Sequence, residues 1–408
     1  MQLKINALSV IVVLSCTFFS CSREKVVENV PREELFSLNY GNFEDEINLF
    51  SLSDVGEINT SLVMHEGFFY IANGEAGKIM KMNSYGDLLT LYFNEDINPV
   101  PSVQAGISGS NATRKSISYP FNSISSIAVD SRQYLYVVDR LPPERVEYDS
   151  NTKEILGQVV LRFDDEGNFL DYFGQQGRGA LPFAYIRNIY VTRHRELVVI
   201  CKSDDSNVGE TVYWFSSEGF LLTKLQINSK NVPNPVDPEG NESFVAIENV
   251  VPGYDDRMLY LSINYYRNYV DEASRVQSGI EYISTYLYSL DVETGIFDEG
   301  IEVPSDYYEV AGDYSKHEFN VPYEFMGVTA TGWAFYVNSI DAGLNVQMVQ
   351  LNGQHILKRV LTFDRYRSLF YALNLSETGV ISALIGNREK ASFCWWRTDS
   401  LIKAAIKN

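Results

Sequence analysis

The stretch from Ile124 to Gly174 constrains the fold most. It holds four short apolar runs, Ile124–Val129, Tyr134–Val138, Val159–Phe163 and Phe169–Phe173. Each is rich in β-branched and aromatic residues and is bounded by Asp, Asn, Ser or Gly, the composition of strands separated by turns. The turn Asp164-Asp165-Glu166-Gly167-Asn168 places a glycine where a tight hairpin needs positive φ. Four antiparallel strands in chain order make a meander. One such sheet cannot bury both of its faces alone, so it needs neighbours of its own kind.

The neighbours are present. Related patterns begin at Ser61, Ile186, Phe244, Phe325 and Leu369, and turn glycines recur at Gly86, Gly167, Gly219, Gly295 and Gly353. Six four-stranded units stacked radially predict an all-β, six-bladed β-propeller in one domain. The sixth copy lacks the turn glycine and ends after its third strand, Ala391–Trp396. A segment within residues 34–52 is expected to supply the missing outer strand, so that an N-terminal strand closes the ring and removes an exposed edge. The tail Leu401–Lys407 suits either a short helical turn or a competing outer strand.

The run SISSIAVDSRQYLYVVDR, followed by RFDDEGNFLDYFGQQGRG, resembles a propeller repeat of the NHL type. The resemblance is closest in the second copy and looser in the others. It implies a fold far more than a function.

Residues 1–20 read as a secretory leader: Lys4 precedes an apolar core, Ala7–Phe19, too short to span a bilayer comfortably. The core ends in Phe18-Phe19-Ser20-Cys21, which resembles a bacterial lipobox of the looser kind familiar among spirochaete lipoproteins. Val13-Leu14-Ser15-Cys16 is a rival. The expectation is lipidation at Cys21, a lipidated N-terminus and tether over 21–33, and the propeller over 34–408. That places the protein in the bacterial cell envelope, periplasmic or at the outer membrane, anchored by lipid alone. Removing residues 1–20 takes one lysine and no acid from 33 basic and 53 acidic residues, leaving a net charge of −21. Such a chain repels phosphate backbones, which argues against nucleic acid as a partner. Beyond Cys21 only Cys201 and Cys394 remain, in copies on opposite sides of the ring, so no disulfide is expected between them.

No zinc-type histidine or cysteine spacing, nucleophile motif or phosphate loop occurs. The expectation is therefore no catalytic residue, no metal and no cofactor. Lactonases and lyases on six-bladed propellers use metal sites near the central channel, and no residue set here maps onto theirs. Tyrosine is abundant, with 27 residues, and it is an interface-forming side chain. The long insertions 94–120, 140–158, 228–243, 264–284 and 304–322 all fall in second-to-third loops or blade links, which share one end of an alternating ring. The centre of 264–284 suits a short helix. These features predict a non-catalytic envelope lipoprotein that binds a protein or peptide through one elaborated face. The expected contact residues are Arg140, Tyr265, Tyr266, Tyr269, Tyr282, Tyr307 and Tyr308. The alternatives are a glycan- or small-ligand-binding propeller, or a propeller hydrolase or lyase with a channel-bound metal.

Overall fold

A computed structural model describes residues 28–50, 58–102, 114–202, 209–237, 243–270, 275–311, 316–351 and 355–407. Cys21 and the centres of several insertions lie outside them. The described strands form six antiparallel meanders arranged as a ring, a six-bladed β-propeller. Blade one comprises Thr60–His65, Phe68–Asn73, Lys78–Met82 and Leu88–Phe93. Blade two comprises Ile124–Val129, Leu135–Arg140, Gln158–Phe163 and Phe169–Gly174. Blade three comprises Tyr185–Val191, Leu197–Lys202, Glu210–Phe215 and Leu221–Ile227. Blade four comprises Ser243–Pro252, Met258–Val270, Gln277–Asp291 and Ile301–Val303. Blade five comprises Glu324–Val328, Trp333–Ile340, Gly343–Gln350 and Ile356–Thr362. Blade six takes Phe370–Leu375, Ile381–Gly386 and Ala391–Trp396 from the C-terminal end of the chain. Its outer strand is Arg32–Leu38, paired antiparallel with Ala391–Trp396.

The apolar cores lie between blades rather than within them. Phe69, Ile71 and Met80 of blade one pack with Leu384 and Phe393 of blade six. Tyr70, Ala72 and Ile79, from the other face of blade one, pack with Val137, Leu161 and Phe163 of blade two. Period-two alternation thus feeds two different cores from one strand. Phe36 of the closing strand stacks on Phe393 at 4.5 Å and meets Phe69 edge-on at 5.7 Å. The N-terminal strand therefore joins blade six to blade one as well as completing blade six.

Three readings change. The described residues of 264–284 are extended rather than helical: Met258–Val270 and Gln277–Asp291 run on as one long hairpin, paired from Met258↔Asp291 to Val270↔Gln277, with 271–274 at the centre outside the described residues. Its tyrosines, valines and isoleucines favour an extended chain that packs on neighbouring strands. The link between blades four and five forms a second hairpin, Asp306–Ala311 with Lys316–Val321. The N-terminal boundary also moves. Asn29–Val30, in the stretch read as tether, pairs parallel with Ile356–Thr362, and Val30 is buried. Further short strands flank the outer edges of blade one, Lys115–Ser118, and blade two, Gly177–Arg178. The tail resolves as a helix, Thr398–Lys407, with Ile402 in the core between blades five and six. Cys201 and Cys394 are free thiols buried in separate cores.

The pairing predicts a graded response to truncation. Relative to a protein beginning at Glu28, removal through Pro31 exposes Val30's site and costs about 1–2 kcal/mol, read as a lower melting temperature. Removal through Leu38 strips the outer strand of blade six, and size-exclusion chromatography is expected to show aggregation. Equal melting temperatures for the two truncations would overturn this account of closure.

Candidate functional site

The six inner strands surround a central channel with a cavity of about 870 Å³, within the usual range for small-molecule sites. In blades two to five the inner strand carries a β-bulge. The register skips between Ile124 and Ile127, Ile186 and Asn188, Ile247 and Asn249, and Phe325 and Gly327. A bulge breaks the in–out alternation and re-aims a side chain. Here it frees Ser125, Arg187, Glu248 and Met326 from regular pairing.

The polar groups at this level stitch the blades together. Ser61 Oγ donates to the Ser125 carbonyl at 2.8 Å, and Ser126 Oγ to Asn188 Oδ1 at 2.6 Å. Arg187 donates to the Glu248 carbonyl at 2.6 Å and, through its other amino nitrogen, to Glu210 Oε1 at 2.6 Å. Asn249 Nδ2 donates to the Phe325 carbonyl at 2.9 Å, and the Met64 N–H to Asn374 Oδ1 at 2.9 Å. Most amides at the channel wall are thus occupied in holding the ring.

Glu248 stands apart. One carboxylate oxygen accepts the Phe325 N–H at 3.1 Å. Burial raises its pKa to about 7; the Phe325 N–H and Arg187 pull it down, and Glu324 pushes it further up. Tyr190 lies beside this group on the channel wall. Its hydroxyl accepts from Asn188 Nδ2 at 3.0 Å, and burial pushes its phenol up to about 12. The tyrosine hydroxyl proton and a carboxyl group near neutrality are suited to binding and protonating a polar ligand. Among the described residues no group of three or more His, Cys, Asp or Glu is arranged to hold a metal.

The expected contact residues do not form one surface. Tyr265 is fully buried, with its hydroxyl bound to the Pro233 carbonyl, so it anchors the 228–243 link and is inaccessible to a partner. Tyr266 and Tyr282 pack edge-to-face at 5.8 Å, and the Tyr282 hydroxyl bonds Thr285 Oγ1 at 2.8 Å. Tyr269 and Tyr307 are exposed, on the two long hairpins. Tyr308 lies in the strand Asp306–Ala311, and Arg140 ends the second strand of blade two, exposed. Glu248, Arg187 and Tyr190 were not anticipated. The signal was Ile186-Arg187-Asn188-Ile189 and Ile247-Glu248-Asn249-Val250, where a charged residue and an asparagine interrupt an inner strand at the same place in two repeats.

No family model matches the sequence, and no curated protein matches it. Solved propellers are similar in backbone. A polysaccharide (ulvan) lyase has 10% identity and a TM-score of 0.42, covering 89% of this chain and 95% of its own. A streptogramin B lyase has 12% identity and a TM-score of 0.35, covering 90% and 97%. A gluconolactonase from Xanthomonas campestris has 10% identity and a TM-score of 0.38, covering 90% and 97%. The similar solved propellers include lyases and a lactonase, and the expectation that the chain is not an enzyme is corrected to an open one. At such identities the likeness is one of fold and assigns no activity.

The Glu248 shift gives a pH test. The folded protein holds this proton more tightly than the unfolded chain, whose glutamate titrates at 4.5. The resulting stabilisation is complete below that value and is lost as pH rises through about 7. Glu248→Gln should match the wild type near pH 4 and exceed it near pH 8, by on the order of 1–3 kcal/mol. Thermal melts across that range check it. A variant less stable than wild type at pH 8 would make Glu248 a paired structural carboxylate.

Proposed function

We propose that the central channel binds a polar small molecule or a short glycan segment, and that Glu248 transfers a proton to or from it in an elimination or hydrolysis. The carrying observation is a carboxyl group with a pKa near 7 on the wall of a cavity crossed by all six blades. A general acid–base works best when its pKa lies near the operating pH. Tyr190 would orient the ligand beside it, while Arg187, held by Glu210, limits how far the carboxyl rises.

The test is turnover of acidic and neutral oligosaccharides and of lactones, followed by mass spectrometry between pH 5 and 9. Glu248→Gln should lower turnover about 10²–10⁴-fold while calorimetry shows ligand binding largely retained. Tyr190→Phe should weaken binding. Turnover that survives in Glu248→Gln, or ligand binding indifferent to every channel substitution, would sink the proposal.

A second reading concerns the elaborated end of the ring, in the bacterial envelope. There the two long hairpins expose Tyr269, Val270, Ile280 and Tyr307, an apolar and aromatic surface suited to a protein or peptide. Photo-crosslinkers at positions 269 and 307 should trap a partner in envelope extracts that one at Ile296, exposed in the short turns at the opposite end, does not. The membrane attachment proposed for this chain is lipid at Cys21. Cys21→Ala should abolish lipid labelling and release the protein from membranes, and continued labelling would move the assignment to another residue.

A further inference from the structure

At the elaborated end, the joint between blades two and three is built rigidly. Gln158 pairs with Arg140 within blade two and bridges to Phe183. Its buried side chain also accepts the Ile186 N–H of blade three. On the blade-three side, Tyr185 pairs with Lys202. The hairpin Glu147–Asp149 with Glu154–Leu156 stands beside this joint. Between them lies a cleft of about 350 Å³, separate from the channel, with Arg140, Lys202, Glu154, Ile155 and Tyr185 in its walls.

Two features distinguish this cleft. Several cations elsewhere sit on carboxylates, Arg162 on Asp171, Arg187 on Glu210, Arg257 on Glu196 and Arg397 on Asp399, and the buried Lys78 is held by the Phe43 carbonyl. Arg140 and Lys202 are both exposed, and neither side chain has a hydrogen-bond or ion-pair partner among the described residues. Two unpaired cations thus flank one joint in a chain with 53 acidic residues against 33 basic. The one carboxylate in the wall, Glu154, has a partner of its own, and with two cations against it the cleft is formally positive. Beside the charges stand apolar surfaces, Tyr185 at 51% and Ile155 at 67% exposure. Positive charge facing an aromatic wall suits a small anion carried on a ring or apolar body. The guanidinium takes the anion by charge-assisted hydrogen bonds, and the tyrosine covers the ring.

We propose that this cleft is a binding site for a small organic anion, a carboxylate or sulfate ester. Arg140 and Lys202 hold the charged group, and Tyr185 and Ile155 hold the body of the molecule. The site does not depend on the channel chemistry, and its failure leaves the Glu248 reading standing.

The experiment uses the whole protein at low ionic strength, with benzoate, glucuronate and inorganic sulfate as probes and benzyl alcohol and glucose as neutral controls. Calorimetry or ligand-observed NMR reads the affinity. Benzoate or glucuronate is expected to bind, with neither control doing so. Arg140→Gln combined with Lys202→Gln should weaken it at least about tenfold with an unchanged melting temperature. Tyr185→Ala should weaken the organic anion and leave inorganic sulfate unaffected. The proposal is overturned if no probe binds, if neutral controls bind equally, if the double variant keeps its affinity, or if inorganic sulfate alone binds. Should the double variant melt early, Lys202→Gln alone, on an exposed side chain, decides between the outcomes.

Discussion

Every apolar core in this protein is shared between two blades, so the ring stands or falls on the one junction that the chain does not make by running forward. That junction is the pairing of Arg32–Leu38 with Ala391–Trp396. Closing a loop of that length costs chain entropy, but the cost grows only logarithmically with length. The return is large. Leu38 and Phe36 join a core that also contains Phe69, Ile71, Leu384 and Phe393, and Val30 enters the next core round the ring. Without the closing strand, two neighbouring cores are incomplete and a hydrophobic strand edge faces water.

The level of the ring that holds the blades together is also the level that could do chemistry. At the bulges polar side chains reach the next blade: Ser126 reaches the Asn188 side chain, Arg187 the Glu248 carbonyl and Asn249 the Phe325 carbonyl. Arg187 shows the double use. It spans from Glu210 on its own blade to the Glu248 carbonyl on the next, and the same guanidinium acts on the Glu248 carboxyl. Stability and proton affinity are coupled there through one side chain, so substitutions at Arg187 move both.

What the sequence made legible follows from periodicity. The blade repeat, the turn glycines and the missing outer strand of the last blade all express a period of two broken by short turns. Gly86, Gly167, Gly219 and Gly295 do adopt positive φ. The long hairpin of blade four was misread because its tyrosines, serines and charges show no clean alternation: both faces stand clear of the core towards the tip, so nothing enforces one. Tyr265 was misplaced because a tyrosine that caps a core by a backbone hydrogen bond looks, in sequence, like one that waits for a partner. Glu248 was passed over for a different reason, since the charge that interrupts its strand does not reveal its surroundings. Its environment comes from Glu324 and Phe325 on blade five and Arg187 on blade three, and no linear spacing encodes their meeting.

Burial alone does not single out Glu248, since other carboxylates are equally enclosed. Asp139 is also raised by burial, yet its oxygens accept the backbone N–H groups of Asn122 and Ser123 in its own blade. That is the chemistry of a turn lock. Glu196 is held by Arg257 and by the Trp214 indole and is lowered below its ordinary value. Glu210 is tied to Arg187. Asp139 and Glu196 each have several donors, and Glu210 has the Arg187 guanidinium on one oxygen. Glu248 accepts one N–H, feels a neighbouring carboxylate, and faces a cavity rather than a core. A group so placed is poorly compensated as an anion, and water or a ligand in the channel is its natural second partner. This asymmetry in donor supply, rather than depth, separates a carboxyl available for proton transfer from those that fasten the ring.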